Sequence, residues 1–310
     1  MASRKSPKRR IHTEWLNSSF GYFYTVSRRL HSCRTNFQKL DLVDTDEFGR
    51  VLILDGITQV AQSSEFAYHE PMVHPAMCAH PDPRRVLVIG AGDGGIIREV
   101  VKYPCVESVV LAELDPGVIE FSKKYLPSIH RGAFSDPRLS IHIVDGRKYV
   151  EEHPACFDVV VMDMTDPFGP SKYLYTNDFF ASVKRSFSDG YGVFAMHTES
   201  PVVRPQTFSC IQKTLRSVFA NTRPLYAYIQ MYATLWSITV SSKKTDIAAA
   251  EPSVIDRKLS AYKIRDLKFY NGAIHRSSQA TLPYIAALLA RKSRVLTDAH
   301  PDIPDEIFHK

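Results

Sequence analysis

Long apolar runs are absent from this sequence. None approaches the roughly eighteen consecutive apolar residues that a membrane-spanning helix requires. The basic N-terminus MASRKSPKRR is not followed by the apolar segment of a secretion signal. With 310 residues, 44% of them hydrophobic, the chain is long enough to bury a substantial core. We therefore expect a soluble globular protein of the cytoplasm.

Cysteine is scarce, and its spacing is uninformative. The five cysteines are far apart and include no CxxC pair; they are Cys33, Cys78, Cys105, Cys156 and Cys210. An odd number without paired spacing indicates neither a disulfide framework nor a zinc site. A reducing compartment fits this pattern best, and no metal site is expected.

The net charge of +6 is concentrated at one end of the chain. Five of the 39 basic residues lie in the first ten positions, which leaves 34 basic residues against 33 acidic ones. A short basic tail is usually a solvated, disordered extension. We expect residues 1–14 to be such a tail, with binding to RNA or membrane phosphates as the alternative.

Two patterns divide the rest of the chain. Between residues 20 and 61, the short β-rich segments FGYFYTVS, QKLDLVDT, RVLILDG and ITQVA are separated by turn signals, and DTDEFGR predicts a hairpin loop. A helix over SEFAYHEPMVHPAMCAH, capped by Ser63 or Ser64, leads to the linker HPDPR. We expect a small antiparallel β-domain with this linking helix over residues 15–80.

From Arg85 onwards, strand-like and helix-like segments alternate. VLVIGAG, SVVLAELD, LSIHIVDG and FDVVVMD are separated by GIIREVVKY, GVIEFSKKYL and RKYVEEH, and GYGVFAMHT, RPLYAYIQ and ATLWSITVSS follow. Such alternation is typical of parallel βαβ units. The predicted fold class is α/β, with a doubly wound, Rossmann-like sheet over residues 81–310.

Three successive strands end in potential ligand-binding groups. Gly90 opens the turn GAGDGG, Glu113 ends the next strand, and Asp145 with Gly146 closes the third. Glycines let a ligand approach the backbone, and an acid about twenty residues later can accept the hydroxyls of a ribose. One nucleoside lying across the sheet edge would explain all of these positions. For Asp145 alone, a helix N-cap is an equal alternative.

An acidic residue within the glycine-rich turn indicates which of two classes of ligand the turn binds. Asp93 lies where the pyrophosphate of a nicotinamide cofactor would bind, and a carboxylate repels phosphate. The turn therefore favours a cationic, phosphate-free nucleoside such as S-adenosylmethionine and its relatives.

A fourth strand, VVVMD, ends at Asp163, and Asp166 follows in the loop TDPFGP. Open α/β sheets bind their ligands where an apolar strand ends in a polar loop. The alternative is that Asp163 only ends the strand and Asp166 only stabilises a turn.

Several motifs, in order, resemble the polyamine aminopropyltransferases, meaning spermidine synthase and its relatives. They are GAGDGGIIREVVKYPCVESVV, ELD, VDG, DMTDPFGP and LKFYNGAIHR, with LILDGITQ and EFAYHE nearer the N-terminus. The similarity extends from Phe37 to Leu289. EFAYHE, HRGAFSDPR and DMTDPFG are similar to thermospermine synthases and to bacterial enzymes that accept agmatine or longer polyamines. The resemblance implies a methyltransferase-type Rossmann-like fold.

The resemblance also implies a reaction. An aminopropyl group moves from decarboxylated S-adenosylmethionine, a co-substrate rather than a cofactor, to putrescine, agmatine or a longer polyamine, and methylthioadenosine is released. A polyamine is protonated at neutral pH, so it needs carboxylates for binding and must lose a proton before it attacks. Asp163 matches the family position that orients and deprotonates the amine, and Asp166 matches an acceptor-binding carboxylate.

The remaining site residues follow from the same motifs. The donor-binding positions are Gln38, Gly90, Asp93, Glu113, Asp145 and Gly146. The acceptor-binding positions are Tyr68, His69, Asp166, His197, Glu199 and Tyr232. FGPSKYLY resembles the gating loop over the pocket, and YIQMYATLW is shorter than the corresponding loop of the family.

Two histidines bear on specificity. His69 and His197 stand where spermidine-forming members tend to have glutamine, and histidine titrates near neutrality. The acceptor pocket is therefore expected to differ in charge from that of a plain spermidine synthase. For His69, structural hydrogen bonding in an apolar helix is the alternative; for His197, an exposed strand end favours function.

Two other functions fit parts of the sequence. One is an S-adenosylmethionine-dependent methyltransferase, which the paired Asp163 and Asp166 and the N-terminal β-domain disfavour. The other is a catalytically silent polyamine or nucleoside binder with an RNA-contacting tail, which the retained Asp163 disfavours. Relatives usually pair through the N-terminal sheet, so the resemblance implies a homodimer or homotetramer.

Overall fold

The computed structural model describes residues 10–167 and 169–305. Within these ranges the chain forms thirteen strands and ten α-helices. The strands are β1 (Arg10–Trp15), β2 (Gly21–Val26), β3 (Arg28–Arg34), β4 (Lys39–Thr45), β5 (Gly49–Leu54), β6 (Ile57–Ala61), β7 (Arg85–Gly90), β8 (Ser108–Glu113), β9 (Leu139–Ile143), β10 (Val159–Asp163), β11 (Val193–His197), β12 (Asn221–Ile229) and β13 (Thr234–Ser242). The helices are α1 (Phe66–Ala79), α2 (Gly95–Val100), α3 (Pro116–Tyr125), α4 (Pro127–His130), α5 (Gly146–Glu152), α6 (Asn177–Ser186), α7 (Pro205–Val218), α8 (Pro252–Ala261), α9 (Gly272–Ser277) and α10 (Pro283–Ala290).

Six strands precede α1 and form two antiparallel sheets. Strands β1 and β2 pair with each other, and β3 to β6 form a four-stranded sheet in sequence order. The expected hairpin between β4 and β5 is confirmed, and its turn is held by a 2.8 Å hydrogen bond from the Phe48 N–H to the Thr45 hydroxyl. An N-terminal antiparallel β-domain is therefore present, although as two sheets rather than one.

Strands β1 and β3 were missed in the sequence. Residues 10–14, assigned to a disordered tail, form most of β1, which pairs with β2 from Arg10 to Trp15. Polar residues dominate β1, and its half-buried positions are the polar His12 and Glu14, so the sequence shows no apolar face. Pairing with β2 supplies the backbone hydrogen bonds of β1. Residues 1–9 of the expected tail lie outside the described residues.

Helix α1 is buried on nearly all sides and packs against α2 and β11. Its N-cap residue is Glu65, so the expected cap at Ser63 or Ser64 is wrong. The reason is a tight turn ahead of the helix, in which the N–H groups of Ser64 and Glu65 both donate to the Ala61 carbonyl. A helix buried all round has no polar face to mark its start.

The larger sheet confirms the doubly wound fold. Its seven strands lie in the order β12-β13-β11-β10-β7-β8-β9. Strands β7 to β11 are mutually parallel, whereas β13 is antiparallel to both β11 and β12. Parallel sheets are covered on both faces, which explains the uninterrupted valine run of β10, Val159 to Val161, with no solvent exposure.

The strand register positions the site. Asp163 at the end of β10 is paired with Gly90 at the end of β7, and Glu113 ends the adjoining strand β8. The carboxyl ends of these three strands therefore form one continuous edge. Among the residues described, no helix has both the length and the apolarity needed to cross a membrane.

Candidate active site

The glycine-rich turn after β7 packs directly on the end of β10. The Ala91 N–H donates to the Asp163 carbonyl oxygen over 3.1 Å. Gly90 has a φ of +75°, and a Cβ at this position would overlap that same oxygen. Only glycine tolerates both conditions. The turn thereby brings Asp93 and Asp163 to the same side of the sheet edge.

Asp163 lies under the phenol of Tyr68. The Tyr68 hydroxyl donates to Oδ1 of Asp163 over 2.6 Å. Burial and the nearby Asp93 carboxylate raise the pKa of Asp163 above its ordinary value, although the Tyr68 hydrogen bond and the charge of His69 oppose the rise. A carboxylate with an elevated pKa is a better proton acceptor, which is the property that a general base requires.

Aromatic rings line the space beside Asp163. The ring of Tyr68 meets that of Tyr232 edge-on, 5.9 Å between centroids, and Tyr232 lies 5.1 Å from Trp236. Trp236 stacks on His197 at 5.8 Å. Tyr232 keeps its place despite its short loop, because its hydroxyl donates to the Gln59 carbonyl over 2.9 Å. Trp236 was missed in the sequence, since a tryptophan within a strand is equally typical of a core.

His69 lies on the donor side of the site. Its Nε2 is 3.3 Å from Oδ2 of Asp93, and its Nδ1 is 2.7 Å from Oε2 of Glu65. Burial alone would lower the pKa of His69, but the Asp93 and Glu65 carboxylates outweigh burial and raise it to about 10. His69 is thus an imidazolium at neutral pH. The structure brings it together with Asp93 rather than with the acceptor carboxylates.

A buried ion-pair network supports His69 from behind. Arg98 donates to both Glu65 oxygens, at 2.9 and 2.7 Å, and to Glu99 at 2.8 Å. Nε2 of His74 lies 2.9 Å from Glu99. Burial opposes ionisation of Glu65, but His69 and Arg98 lower its pKa to about 2. The four-residue spacing of Glu65 and His69 within a helix start was the available sequence signal.

Glu113 lies against the glycine-rich turn, and Gln38 lies close by, next to Asp115. Oε1 of Glu113 accepts from the Asp115 N–H over 2.8 Å, and a Cβ on Gly92 would lie 3.1 Å from its other oxygen. Burial raises the pKa of Glu113 to about 7. Gln38 donates to Oδ2 of Asp115 over 3.0 Å, which ties the N-terminal sheet to the start of α3. Both residues therefore border the same edge.

Asp145 and Gly146 have structural reasons for their positions. Oδ1 of Asp145 accepts from the N–H groups of Arg147 (2.7 Å) and Lys148 (3.2 Å), so Asp145 is the N-cap of α5. A Cβ on Gly146 would overlap the Ile89 side chain at the end of β7. Asp145 is therefore an N-cap, as the structural alternative predicted. Only its Oδ1 takes part in the cap, and Oδ2 does not.

Asp166 is already paired with a buried cation. Nη1 of Arg204 lies 2.6 Å from Oδ2 of Asp166 and 3.0 Å from Oε2 of Glu199. Burial opposes ionisation, but Arg204 lowers the pKa of Asp166; by contrast, burial raises the pKa of Glu199 to about 8. Arg204 was missed in the sequence, because its partners are 38 and 5 residues away and no helical spacing links them.

His197 is buried, so the expectation of an exposed strand end is wrong. It is 2% exposed because α1 and β13 cover the end of β11. Its Nε2 lies 2.7 Å from the Met164 carbonyl and 3.0 Å from the Tyr175 hydroxyl. These contacts fix the imidazole beneath the loop that carries Asp166.

The expected gating loop covers residues 168–175, of which residue 168 lies outside the described part of the chain. Gly169–Leu174 forms a 3₁₀ turn. It is anchored by Lys172 to Asp302 (2.7 Å) and by the Ser171 hydroxyl to Thr165 (2.9 Å). Within residues 10–167 and 169–305, no group of three or more His, Cys, Asp or Glu side chains is arranged to hold a metal ion.

Two family domains match the chain. Residues 65–251 match the Spermine/spermidine synthase domain, and residues 11–62 match the Spermidine synthase tetramerisation domain. The boundary between the matches falls at the turn that precedes α1.

Curated relatives match over most of the chain. It is 38% identical over 287 residues to the polyamine aminopropyltransferase of Nitrosomonas europaea, covering 93% of this chain and 88% of that protein. It is 41% identical over 275 residues to that of Desulforudis audaxviator, covering 88% and 97%. The polyamine aminopropyltransferase of Bacillus subtilis is 35% identical over 279 residues, covering 90% and 98%.

Two solved structures of spermidine synthases are similar to this chain over most of its length. Spermidine synthase from Thermotoga maritima superposes with a TM-score of 0.84 at 33% identity, covering 91% of this chain and 95% of that one. A spermidine synthase in complex with the transition state analogue AdoDATO gives 0.83 at 32% identity, with the same coverage. The chain therefore belongs to the polyamine aminopropyltransferase family, the spermine and spermidine synthases, and is a transferase.

Proposed function

We propose that this protein transfers the aminopropyl group of decarboxylated S-adenosylmethionine to an amine acceptor and releases methylthioadenosine. The observation that carries the proposal is Asp163, whose pKa is raised by burial and which receives a 2.6 Å hydrogen bond from Tyr68 beside an aromatic wall. Such a carboxylate suits the removal of a proton from an ammonium ion. Family membership supports the same reaction.

The reaction is a direct displacement. The acceptor nitrogen loses a proton to Asp163 and forms a bond to the methylene carbon next to the sulfonium. The carbon–sulfur bond breaks, and its electron pair stays on sulfur in neutral methylthioadenosine. Because a sulfonium is a good leaving group, the protein mainly has to orient the two substrates and accept the proton.

The donor occupies the edge formed by β7, β8 and β9 in this proposal. Glu113 accepts from the ribose hydroxyls, and the carboxylate of Asp93 attracts the ammonium of the aminopropyl chain. Gly90 allows the tight turn beside which the donor lies, while Gln38, Asp145 and Gly146 border the nucleoside. His69 is assigned to the donor side as well, because it lies 3.3 Å from Asp93.

The acceptor lies along the rings of Tyr68, Tyr232 and Trp236. Its attacking amine faces Asp163, and its remaining charge faces Asp166 and Glu199. An apolar wall beside carboxylates matches the alternation of methylene groups and amines in a polyamine. His197 holds the loop from beneath.

We further propose that the protein assembles as a homodimer or homotetramer through its first hairpin. Ile11, Trp15 and Phe23 are 60%, 49% and 68% exposed, and they share the outer face of β1 and β2. Contiguous exposed apolar side chains of this kind mark interaction surfaces. This hairpin lies within the match to the tetramerisation domain.

Mass spectrometry of reaction products tests the function. Purified protein is mixed with decarboxylated S-adenosylmethionine and, separately, with putrescine, agmatine, cadaverine or spermidine. We expect one amine to gain an aminopropyl group while methylthioadenosine appears in equal amount. A methylated amine formed from intact S-adenosylmethionine would instead identify a methyltransferase, and binding of both substrates without a product would identify a silent binder.

A further inference from the structure

The acceptor-side carboxylates share a cation supplied by the protein itself. Oδ2 of Asp166 and Oε2 of Glu199 lie 2.6 and 3.0 Å from the same nitrogen, Nη1 of Arg204. The exposed fractions of the three side chains are 19% for Asp166, 0% for Glu199 and 7% for Arg204. Little water is therefore present to screen the guanidinium from another charge nearby.

The backbone holds Glu199 in an unfavourable conformation to make this contact. Its φ is +67°, in the left-handed region that side chains with a Cβ rarely adopt. Two hydrogen bonds from Ser237, one from Oγ (2.6 Å) and one from N–H (3.1 Å), fix its carbonyl against β13. Strain of this kind persists where the surroundings impose it, often at functional sites.

Carboxylates of the site also act on two neighbouring tyrosines, Tyr232 and Tyr175. Burial raises the pKa of Tyr232 well above its ordinary value, and the Asp163 and Asp166 carboxylates add to the rise. Burial likewise raises the pKa of Tyr175, together with Glu199 and Asp166. Asp163 and the Arg204 cluster therefore both lie close enough to Tyr232 and Tyr175 for their charges to act on these rings.

The charge of this cluster limits what it can bind. Arg204 lowers the pKa of Asp166, whereas burial raises the pKa of Glu199. The guanidinium of Arg204 therefore offsets part of the negative charge that these two carboxyl groups present to an acceptor. After its attacking amine has lost a proton, a diamine or agmatine brings one remaining cation into the pocket, whereas a triamine brings two.

We propose that Arg204 is a specificity-determining residue, which favours acceptors with a single cationic group beyond the attacking amine over triamines. The proposal rests on the function proposed above. A guanidinium beside the anchoring carboxylates repels a second distal ammonium, and this repulsion is stronger in a partly shielded pocket than in bulk water.

Steady-state kinetics of Arg204 variants test the proposal. At saturating donor, kcat/KM is measured with putrescine and with spermidine for the wild type, Arg204→Gln and Arg204→Lys. We expect Arg204→Gln to raise the spermidine-to-putrescine ratio about tenfold or more, while Arg204→Lys, which keeps the charge, stays near the wild-type ratio. Arg216→Gln, an exposed change on α7, is the matched control.

A comparison on the wild-type protein guards against a misfolded variant. Diaminooctane has the chain length of spermidine but lacks its central ammonium. The wild type should use diaminooctane with a higher kcat/KM than spermidine, and Arg204→Gln should narrow the difference. Circular dichroism and thermal unfolding establish whether Arg204→Gln is folded. If it is not, the comparison of diaminooctane with spermidine on the wild type tests whether a second distal ammonium is disfavoured.

The outcomes separate the two proposals. An active wild type that uses spermidine as well as diaminooctane, or a ratio that Arg204→Gln leaves unchanged, overturns the role of Arg204 and leaves aminopropyl transfer intact. A wild type that transfers no aminopropyl group to any amine overturns both.

Discussion

The hydroxyl of Tyr68 donates a 2.6 Å hydrogen bond to Oδ1 of Asp163, and this bond joins α1 to the end of β10 across 95 residues of sequence. The bond orients the carboxylate and favours its ionised form, whereas burial and Asp93 favour the protonated form. The strength of the proton acceptor therefore depends on α1 and on the turn after β7, which supply Tyr68 and Asp93.

Replacement of Asp163 tests its role as the proton acceptor. Asp163→Asn keeps the shape of the side chain but cannot take a proton, and loss of a general base typically lowers turnover by about a hundred- to ten-thousand-fold. Calorimetry should find methylthioadenosine binding largely unchanged. Asp266→Asn, at an exposed position, serves as the control. Near-normal turnover of Asp163→Asn would remove Asp163 from the mechanism.

Replacement of Tyr68 tests the tuning of that acceptor. Tyr68→Phe keeps the ring against Tyr232 but removes the hydrogen bond that lowers the pKa of Asp163. The pKa of Asp163 should therefore rise, and the acid limb of the kcat/KM profile should move to higher pH. Tyr228→Phe, which changes a 60% exposed tyrosine, should leave the profile in place. If the acid limb of Tyr68→Phe lies at the same pH as that of the wild type, Tyr68 does not tune the pKa of the proton acceptor Asp163.

Donor-site binding should depend on pH through Glu113. Its pKa is raised to about 7 by burial, so it changes from mostly neutral to mostly ionised between pH 6 and pH 8. Ionised carboxylates accept ribose hydroxyls more strongly, and methylthioadenosine does not titrate in this range. We expect its affinity to rise several-fold from pH 6 to pH 8. Isothermal titration should find this rise lost in Glu113→Gln and kept in Glu120→Gln, an exposed change on α3.

The stability contribution of His69 should be lost at high pH. Its folded-state pKa is raised to about 10 by Asp93 and Glu65 against the effect of burial. A raised pKa stabilises the fold fully below the unfolded value, about 6.5, and the contribution disappears as pH rises through the folded value. The unfolding free energies of wild type and His69→Gln should therefore differ by on the order of a few kcal/mol near pH 6 and converge towards pH 10.

Chemical denaturation at several pH values measures this difference. His142→Gln, an exposed change on β9, should follow the wild type throughout. A difference between wild type and His69→Gln that is constant from pH 6 to pH 10 would show that His69 is not held as an imidazolium.

Replacement of Phe23 tests whether the protein assembles through the outer face of β1 and β2. Phe23→Ser removes a ring that is 68% exposed on β2, so it should weaken self-association about tenfold or more without loss of fold. Analytical ultracentrifugation over a concentration range reports the change. Tyr284→Ser, which removes a 55% exposed ring on α10, is the control. An unchanged assembly of Phe23→Ser would exclude the outer face of the hairpin as the interface.

Local pattern was sufficient for the order of the strands after residue 85, whereas α4, α6 and α8 to α10 were not predicted. Valine-rich runs such as Val159 to Val161 bury a strand on both faces of a sheet, and the intervening segments have helical periodicity. The acids at the strand ends then had to meet at one edge, because parallel strands all end on the same side. The grouping of Asp93, Glu113 and Asp163 follows from sequence for this reason.

Polar segments carry too little apolar pattern for their secondary structure to be predicted. The half-buried positions of β1 are polar, so its sequence shows no apolar face, and it is a strand because β2 pairs with it along its whole length. The start of α1 was misplaced because the turn onto the Ala61 carbonyl uses backbone groups that any residue provides.

The charge state of the site was decided by tertiary structure alone. The residue type of His69 was visible in the sequence, but its position between Glu65 and Asp93, which makes it an imidazolium, was not. Arg204 lies close to Asp166 only because the loops after β10 and β11 converge at the sheet edge. Sequence by itself determined the fold and the carboxylates at the ends of the parallel strands, because strand and helix periodicity are local properties. Burial and charge partners, which set the pKa values of the site, depend on contacts between distant segments, so only the folded chain decides them.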